Sequence, residues 1–589
     1  MCGIAGIMMS GARQADQAVL ARLAEAIHHR GPDGTGFHRD GAVGLAVTRL
    51  AIIDLVTGDQ PLFGQRGTVL VANGEIYNDL ELRAALGGSG YRTGSDCETP
   101  LQLYGRKGLG FVDDLRGMYA IALYDPAASR LVLTRDPFGI KQLYYAENAA
   151  GFAFASEPQA LIAAGLAGRR IRPKRRAELL QLKFTTGRET IFADIERVLP
   201  GETLVVQEGR IVERRRRNAI PAGAPRRMGH EEALHRLDEI LSESVAHHLR
   251  SDVPYGLFLS SGIDSSALIA MMTRLTASPV VAFTAAFPGG GGKDERAIAE
   301  RVARSVGAEH HVVELSESYF WSHAARVAAA VDDPTTDGAT LPTYALGEAA
   351  KGSLKVVLSG EGADEIFGGY ARYRRARWLG GLLGGKARTH GEFDGFPELA
   401  PALAGWRDGL EEADVLEGGS ARTPLTTLQA VDCSEWLPND LLVKLDRCLM
   451  AHSLEGRTPY LDPVVADFAM RLPDALKASV RFGKRLLRDW LAKNVPAAEP
   501  YARKTGFNPP VGEWIAGRKA TIAALVAGSP GIAELGAAGA VRQVFAAPEK
   551  NAQRAWSLLF YALWHSHHVL GISPEGSVED TLQAAARHG

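Results

Sequence analysis

The sequence predicts an α+β layered domain over 1–215 and a parallel-sheet α/β domain over 228–589 whose last part is all helical. Three observations predict it. The first 205 residues are short β-rich segments separated by Gly, Asp, Asn and Pro. From 229 onward, apolar strand-like runs alternate with segments of helical period. After about 370 the helical period runs to the end. A chain of 589 residues also exceeds a single core, because domains usually hold roughly 100–200 residues.

In the first domain, "GTVLVANGEIYN", "GMYAIALYD", "SRLVLTRD", "GFAFASE" and "ETLVVQEGRIVE" read as strands. "GSDCETPLQLYGRKG" reads as a helix, with Ser and Asp near its start and Gly at its end. Residues 206–228 turn basic and then rich in Pro, Ala and Gly, which marks a linker. In the second domain "HEEALHRLDEILSESVAHHL" is a helix, "YGLFLS" a strand and "SSALIAMMTRL" a helix. "PVVAFTAAF", "EHHVVEL" and "LKVVLS" are further strands, and "DERAIAERVARSVG" is a helix ended by Gly307. Such alternation calls for a parallel sheet covered on both faces.

Composition narrows the function classes. A net charge of −2 supplies no field toward nucleic acid or anionic lipid. The basic runs "GRRIRPKRR" and "ERRRR" lack interleaved aromatics, so they are read as solvated faces or interdomain contacts. Four scattered cysteines make neither a disulfide framework nor a cysteine zinc site. No signal peptide and no apolar run of about 18 residues is present, so a cytoplasmic setting without membrane is expected.

Two loops carry chemistry. In open α/β sheets, ligands bind past the carboxyl ends of the strands. "FLSSGIDSSALI" places four serine hydroxyls and the start of a helix there, a site for anions. Asp264 in its middle suits phosphate only through a bridging cation such as Mg²⁺. The loop lacks the G-K-[ST] ending of a P-loop. "VLSGEGADEIFGGY" brings Glu361, Asp364 and Glu365 within five residues, enough to hold a divalent ion and leave one base. Together the loops point to a nucleotide from which pyrophosphate leaves. At the other end of the chain, removal of Met1 would expose Cys2 with both a thiol and a free α-amine.

With these residues in place, "SSGIDSS" resembles the pyrophosphate loop of the N-type ATP pyrophosphatases. "SGEGADE", "LVKLDR" and "EGRTPYLD" resemble the glutamine-hydrolysing asparagine synthetases. "MCGI", "HHRGPD", "TRLAIID", "NGEIYN", "GSDCE" and "RDPFGIKQLYY" resemble their class II glutamine amidotransferase domain. The resemblance spans nearly the whole chain, in the family's order. It implies an N-terminal αββα sandwich of antiparallel sheets and a C-terminal ATP-pyrophosphatase sheet.

It also implies two active sites. In the first, Cys2 attacks the glutamine amide, with its own α-amine, of pKa about 7.7–8.0, as base. Asn73 and Gly74 form the oxyanion hole. Arg49 holds the glutamine α-carboxylate, Ile53 lines the pocket, and Glu75 and Asp96 take the α-ammonium. Cys97 is read as a buried thiol. In the second site ATP lies across Leu259, Ser260, Gly262, Asp264, Ser265, Ser266, Ala285, Ser359 and Gly360. Asp264 and Asp364 hold Mg²⁺, Glu361 is the base, and Lys484 faces the phosphate. A carboxylate, by default aspartate, becomes an acyl-adenylate that ammonia displaces, with AMP and pyrophosphate released. Free ammonia needs a dry passage between the sites. The implied partners are glutamine, ATP and the carboxylate acceptor, without nucleic acid; a homodimer is left open.

Three positions depart from the family's pattern. Ser261 stands where Gly is common, Gln142 where Pro is usual, and Gly338 where some members carry an acceptor-binding Arg. Arg457 and Lys504 remain as candidate readers of the acceptor carboxylate. Alternatives are the same chemistry on a sugar uronate or peptide acid, and a tRNA-modifying enzyme with the same loop. The −2 charge and the amidotransferase half argue against the latter. A β-lactam-forming synthetase has no use for Cys2, and a glutamine sensor has none for the acids of the second loop.

Overall fold

The computed structural model describes residues 2–88, 90–288, 296–383, 387–418, 421–502 and 509–588. Lys504 and Met1 lie outside the described residues.

The N-terminal part holds strands β1 (Cys2–Met9), β2 (Gly34–Asp40), β3 (Val43–Arg49), β4 (Leu62–Phe63), β5 (Val69–Ile76), β6 (Gly117–Asp125), β7 (Arg130–Arg135), β8 (Tyr144–Asn148), β9 (Gly151–Ala155), β10 (Glu196–Arg197), β11 (Glu202–Gln207) and β12 (Arg210–Arg216). Among the described residues they form two six-stranded sheets, ordered β10-β8-β9-β1-β3-β2 and β12-β11-β7-β6-β5-β4. The pairings are antiparallel. Side chains alternate between the two faces of a strand. In β1, Cys2, Ile4 and Met8 therefore enter one apolar layer with Val71 and Leu133 of the other sheet. Ala5 and Ile7 point the opposite way, toward a layer with Leu20 and Leu23 of the helix Gln17–Ala26. Beyond the second sheet, Leu70 and Ile121 pack on Leu101 and Tyr104 of the helix Thr99–Lys107. This is the expected αββα sandwich.

The C-terminal part is built on β13 (Tyr255–Phe258), β14 (Val281–Ala286), β15 (Glu309–Glu314), β16 (Val356–Leu358) and β17 (Glu455–Arg457). They form a parallel sheet ordered β15-β14-β13-β16-β17. The chain runs outward from β13 to β15 and then crosses to β16. The gap between β13 and β16 is thus the point where strand order reverses, the place where such sheets bind ligands. Strand β17 was not expected, because its segment lies in the region read as helical. Three residues are too few for a period to show, and pairing with β16 alone makes them a strand.

The two parts share their cores. Leu50, Tyr77, Met118, Phe138 and Ile140 join one apolar cluster with Leu257, Leu358 and Leu461. The basic runs read as contacts do serve as such in part. Arg176 pairs with Glu534 at 2.5 Å, and Arg169 donates to the His568 carbonyl at 3.1 Å. Among the described residues, no helix is long and apolar enough to cross a membrane.

Candidate active sites

Strand parity assembles the first site. Along β5, Val69, Val71, Asn73 and Glu75 share one face, the face that Val69 and Val71 turn toward β1. The register of β1 with β3 sets Cys2 opposite Arg49. These residues are distant in sequence, and the face alternation brings them together. The Cys2 nitrogen donates to Asn73 Oδ1 at 3.1 Å. Asn73 is fully buried, and its Nδ2 has no hydrogen-bond partner among the described residues. A buried amide donor left over beside a nucleophile is what an oxyanion hole requires. Next to it, a Cβ on Gly74 would stand 2.1 Å from the Met118 carbonyl oxygen, so only glycine fits. Behind Gly74, the buried Cys97 Sγ donates to its carbonyl at 3.6 Å. Burial pushes the Cys2 thiol above its ordinary pKa, so the thiol needs a base to ionise.

Around Cys2 the charges sort by position. Arg49 is nearly buried; it donates to the exposed Asp59 at 2.7 Å, to the Asp54 carbonyl at 2.5 Å and to the Ile53 carbonyl at 3.4 Å. Its fork therefore already carries a carboxylate at the rim. Burial pushes the Asp96 carboxyl up to about 6, although it accepts from the Ile76 N–H at 2.5 Å. Glu75 is also buried, and burial raises its pKa against the pull of Arg457, 3.0 Å away. Residues missed in the sequence complete this site. Gln60 accepts from Ala72 N–H at 2.7 Å, donates to the Ala72 carbonyl, and lies 4.0 Å from Cys2 Sγ. Arg30, in "HHRGPD", is fully buried and donates to the Cys2 carbonyl at 3.3 Å. It also meets Glu157 at 2.7 Å and, with two nitrogens, Asp446 of "LVKLDR". Arg447 then links Asp446 to Asp332 at 2.7 Å each. Buried charges are tolerated only in such paired sets, and no local sequence signal joins residue 30 to residue 446.

Corrections fall on Arg457. Expected as a reader of the acceptor, it is wholly buried, with its side chain turned to Glu75 at the Cys2 site. Its guanidinium is taken up by Glu455 at 2.5 Å, Glu75, and the carbonyls of His248 and Arg250. No acceptor can reach a group enclosed in this way.

The second site lies at the switch point between β13 and β16. Leu259 follows β13, donating to the Phe283 carbonyl while its own carbonyl accepts from Thr284 Oγ1. Ser260 N–H donates to Ser265 Oγ at 3.1 Å, and Ser266 Oγ donates to the Gly262 carbonyl, where the helix Ile263–Leu275 begins. The backbone at Ser261 stays outside the left-handed region, so its side chain brings no strain. Ala285 is buried within β14. Ser359 N–H donates to the Arg457 carbonyl at 2.8 Å, and a Cβ on Gly360 would lie 3.0 Å from Asp264 Cβ. The two loops are therefore in contact.

Lys484, buried, meets Asp264 at 2.5 Å and Asp364 at 2.7 Å. Burial disfavours its ammonium, but the two carboxylates outweigh that and hold its pKa above normal. These groups line a cleft that also includes Ser261 and Arg488. Two carboxylates from facing loops, already converging on one cation, fit Mg²⁺, which takes one or two carboxylates and completes its shell with substrate phosphates and water. Glu361 pairs with Lys444 at 3.4 Å, and Lys444 pairs with Asp337 at 2.9 Å. Beside them, Gly338 has Gln553 Oε1 as its nearest neighbour, 3.9 Å from a Cβ built there.

A family model described as asparagine synthase matches residues 236–566, and one described as glutamine amidotransferase domain matches 1–216. A putative glutamine-hydrolysing asparagine synthetase of Mycobacterium tuberculosis (strain ATCC 25618 / H37Rv) is 33% identical, with 97% of each chain covered. Asparagine synthetase 1 of Bacillus subtilis (strain 168) is 31% identical, again over 97% of each. The amidase chry2 of Gibberella zeae is 27% identical over 86% of this chain and 88% of that protein.

Proposed function

The chain belongs to the asparagine synthase family, a group of glutamine-hydrolysing, ATP-using ligases, and from that premise we propose that it amidates aspartate to asparagine. The observation that carries the nitrogen-donor half is Cys2 held on Asn73 with the Asn73 Nδ2 unspent. With Met1 removed, the Cys2 α-amine takes the thiol proton and returns it to the leaving ammonia. Asn73 Nδ2 and the Gly74 N–H receive the oxyanion. Arg49 holds the glutamine α-carboxylate by exchanging Asp59 for it, and Glu75 and Asp96 hold the α-ammonium.

In the synthetase half, the serine-rich loop and the helix start cradle the leaving pyrophosphate. When bound, Mg²⁺ neutralises phosphate charge, and Asp264 and Asp364 would hold it. Lys484, placed between those carboxylates, adds a second positive charge to the same spot. Glu361, paired with Lys444 at 3.4 Å, accepts a proton from ammonia as it attacks the acyl-adenylate. The apolar cluster that runs from Leu50 and Met118 to Leu358 supports a dry passage for ammonia.

One observation favours a second reading. With Arg457 enclosed and no side chain at Gly338, neither position offers a guanidinium to the acceptor; Gln553 lies nearest Gly338, and Lys444 pairs with the adjoining Asp337. That suits a bulkier carboxylate than aspartate, as the likeness to an amidase also allows. A panel of carboxylic acids supplied with ATP and glutamine, read as AMP and pyrophosphate release, decides between them. Activity with aspartate alone supports asparagine synthesis; activity with other acids and none with aspartate rejects it.

A further inference from the structure

Arg457 lies in both sites at once. Its main chain belongs to the ATP side: it pairs with Leu358, and its carbonyl accepts from Ser359 N–H at 2.8 Å, at the base of the loop that carries Gly360 and Glu361. Its side chain belongs to the glutamine side. Three of its contacts, to Glu455 and to the carbonyls of His248 and Arg250, stay within the C-terminal domain and are well formed, at 2.5–2.7 Å. The fourth crosses to the other domain. Nη2 comes within 3.0 Å of Glu75 Oε1 yet makes no aligned hydrogen bond. A charge contact without alignment is the easiest of the four to exchange. Strand β17 is held from the same side a second time, by Lys141 Nζ on the Gly456 carbonyl at 3.2 Å.

We propose that Arg457 is a positioning residue that reports occupancy of the glutamine pocket to the ATP loop. The proposal rests on the reading that Glu75 receives the glutamine α-ammonium. In one state Glu75 answers Arg457. In the other it answers the ligand's ammonium, and Arg457 keeps only its contacts to Glu455 and the two carbonyls. Charges 3 Å apart in a buried site feel each other strongly, so the ligand changes the field on Arg457 without touching it. Ser359 is one hydrogen bond from the main chain of Arg457, whose side chain carries that change. Such coupling is reciprocal: glutamine alters the affinity for ATP or acceptor, and these alter the affinity for glutamine by the same factor.

The test uses full-length Cys2→Ala protein, in which glutamine binds without being hydrolysed, with ammonia as nitrogen source. KM values for ATP and acceptor are measured with and without glutamine, while calorimetry follows glutamine binding directly. The expected result is a change of about 5-fold or more in one of the two KM values. Adding Arg457→Lys, which keeps the charge but cannot span the same acceptors, should abolish the change while glutamine still binds. If that variant does not fold, Glu75→Gln breaks the same pair from the other side, read at glutamine concentrations that calorimetry shows to saturate. Glutamine bound with both KM values unmoved overturns the proposal, as does a shift that survives either substitution. No glutamine binding at all removes the pocket reading itself, and the proposal with it.

Discussion

Asn73→Ala isolates the oxyanion hole. Asn73 has no exposed surface, its Oδ1 accepts from the Cys2 nitrogen at 3.1 Å, and its Nδ2 has no partner among the described residues. A donor without a ground-state partner contributes little until an oxyanion forms, so its removal should act on the transition state. The loss of one such donor costs about 3 kcal/mol, on the order of 10²–10³ in kcat. Glutamate release from glutamine should fall by that factor. Ammonia-dependent AMP and pyrophosphate release should stay within about 2-fold, because Asn73 sits on β5 of the N-terminal part whereas the ATP loops follow β13 and β16. A melting curve on the same sample checks that the buried truncation, worth about 1–3 kcal/mol in stability, has not unfolded the protein. A fall of less than 10-fold in glutaminase activity would refute the oxyanion assignment. Equal falls in both activities would refute the separation of the sites.

Other outcomes test other parts. A Cβ at position 369 would lie 1.7 Å from Asp364 Oδ1 and 2.4 Å from Lys484 Cε, so Gly369→Ala must displace both groups. It should abolish synthesis with either nitrogen source by at least 10²-fold while glutaminase activity persists; retained synthesis would mean that Asp364 and Lys484 are not part of the ATP site. Burial pushes the Glu435 carboxyl up to about 7, even though it accepts from the Gly187 N–H. Between about pH 5 and 7 the native protein therefore keeps a proton that the unfolded chain has lost, and stability falls as pH rises, by up to about 3 kcal/mol. Glu435→Gln keeps an acceptor for Gly187 and removes this slope, so its Tm advantage over the parent should grow from pH 5 to pH 7. Parallel Tm profiles would reject the shift.

Much of this protein is written locally. The β-rich first part, the strand–helix alternation after 229, and the two loops at strand ends follow from periodicity and turn chemistry, which act over a few residues. So do the identities of Cys2, Asp264 and Glu361, since nucleophile, phosphate loop and acid cluster are each short motifs. Parity along β5 even fixes that Asn73 and Glu75 share a face. What the chain does not write locally is which distant residues meet. Arg30 finds Asp446 across 416 positions, and Arg457 turns to Glu75 rather than to an acceptor. The three residues of β17 become a strand only because β16 lies beside them. In each case the cause is burial. A charge withdrawn from water must be answered by whatever charge the fold brings near, and an edge N–H by whatever carbonyl the sheet offers. Those partners belong to packing between domains, so only the tertiary structure could name them.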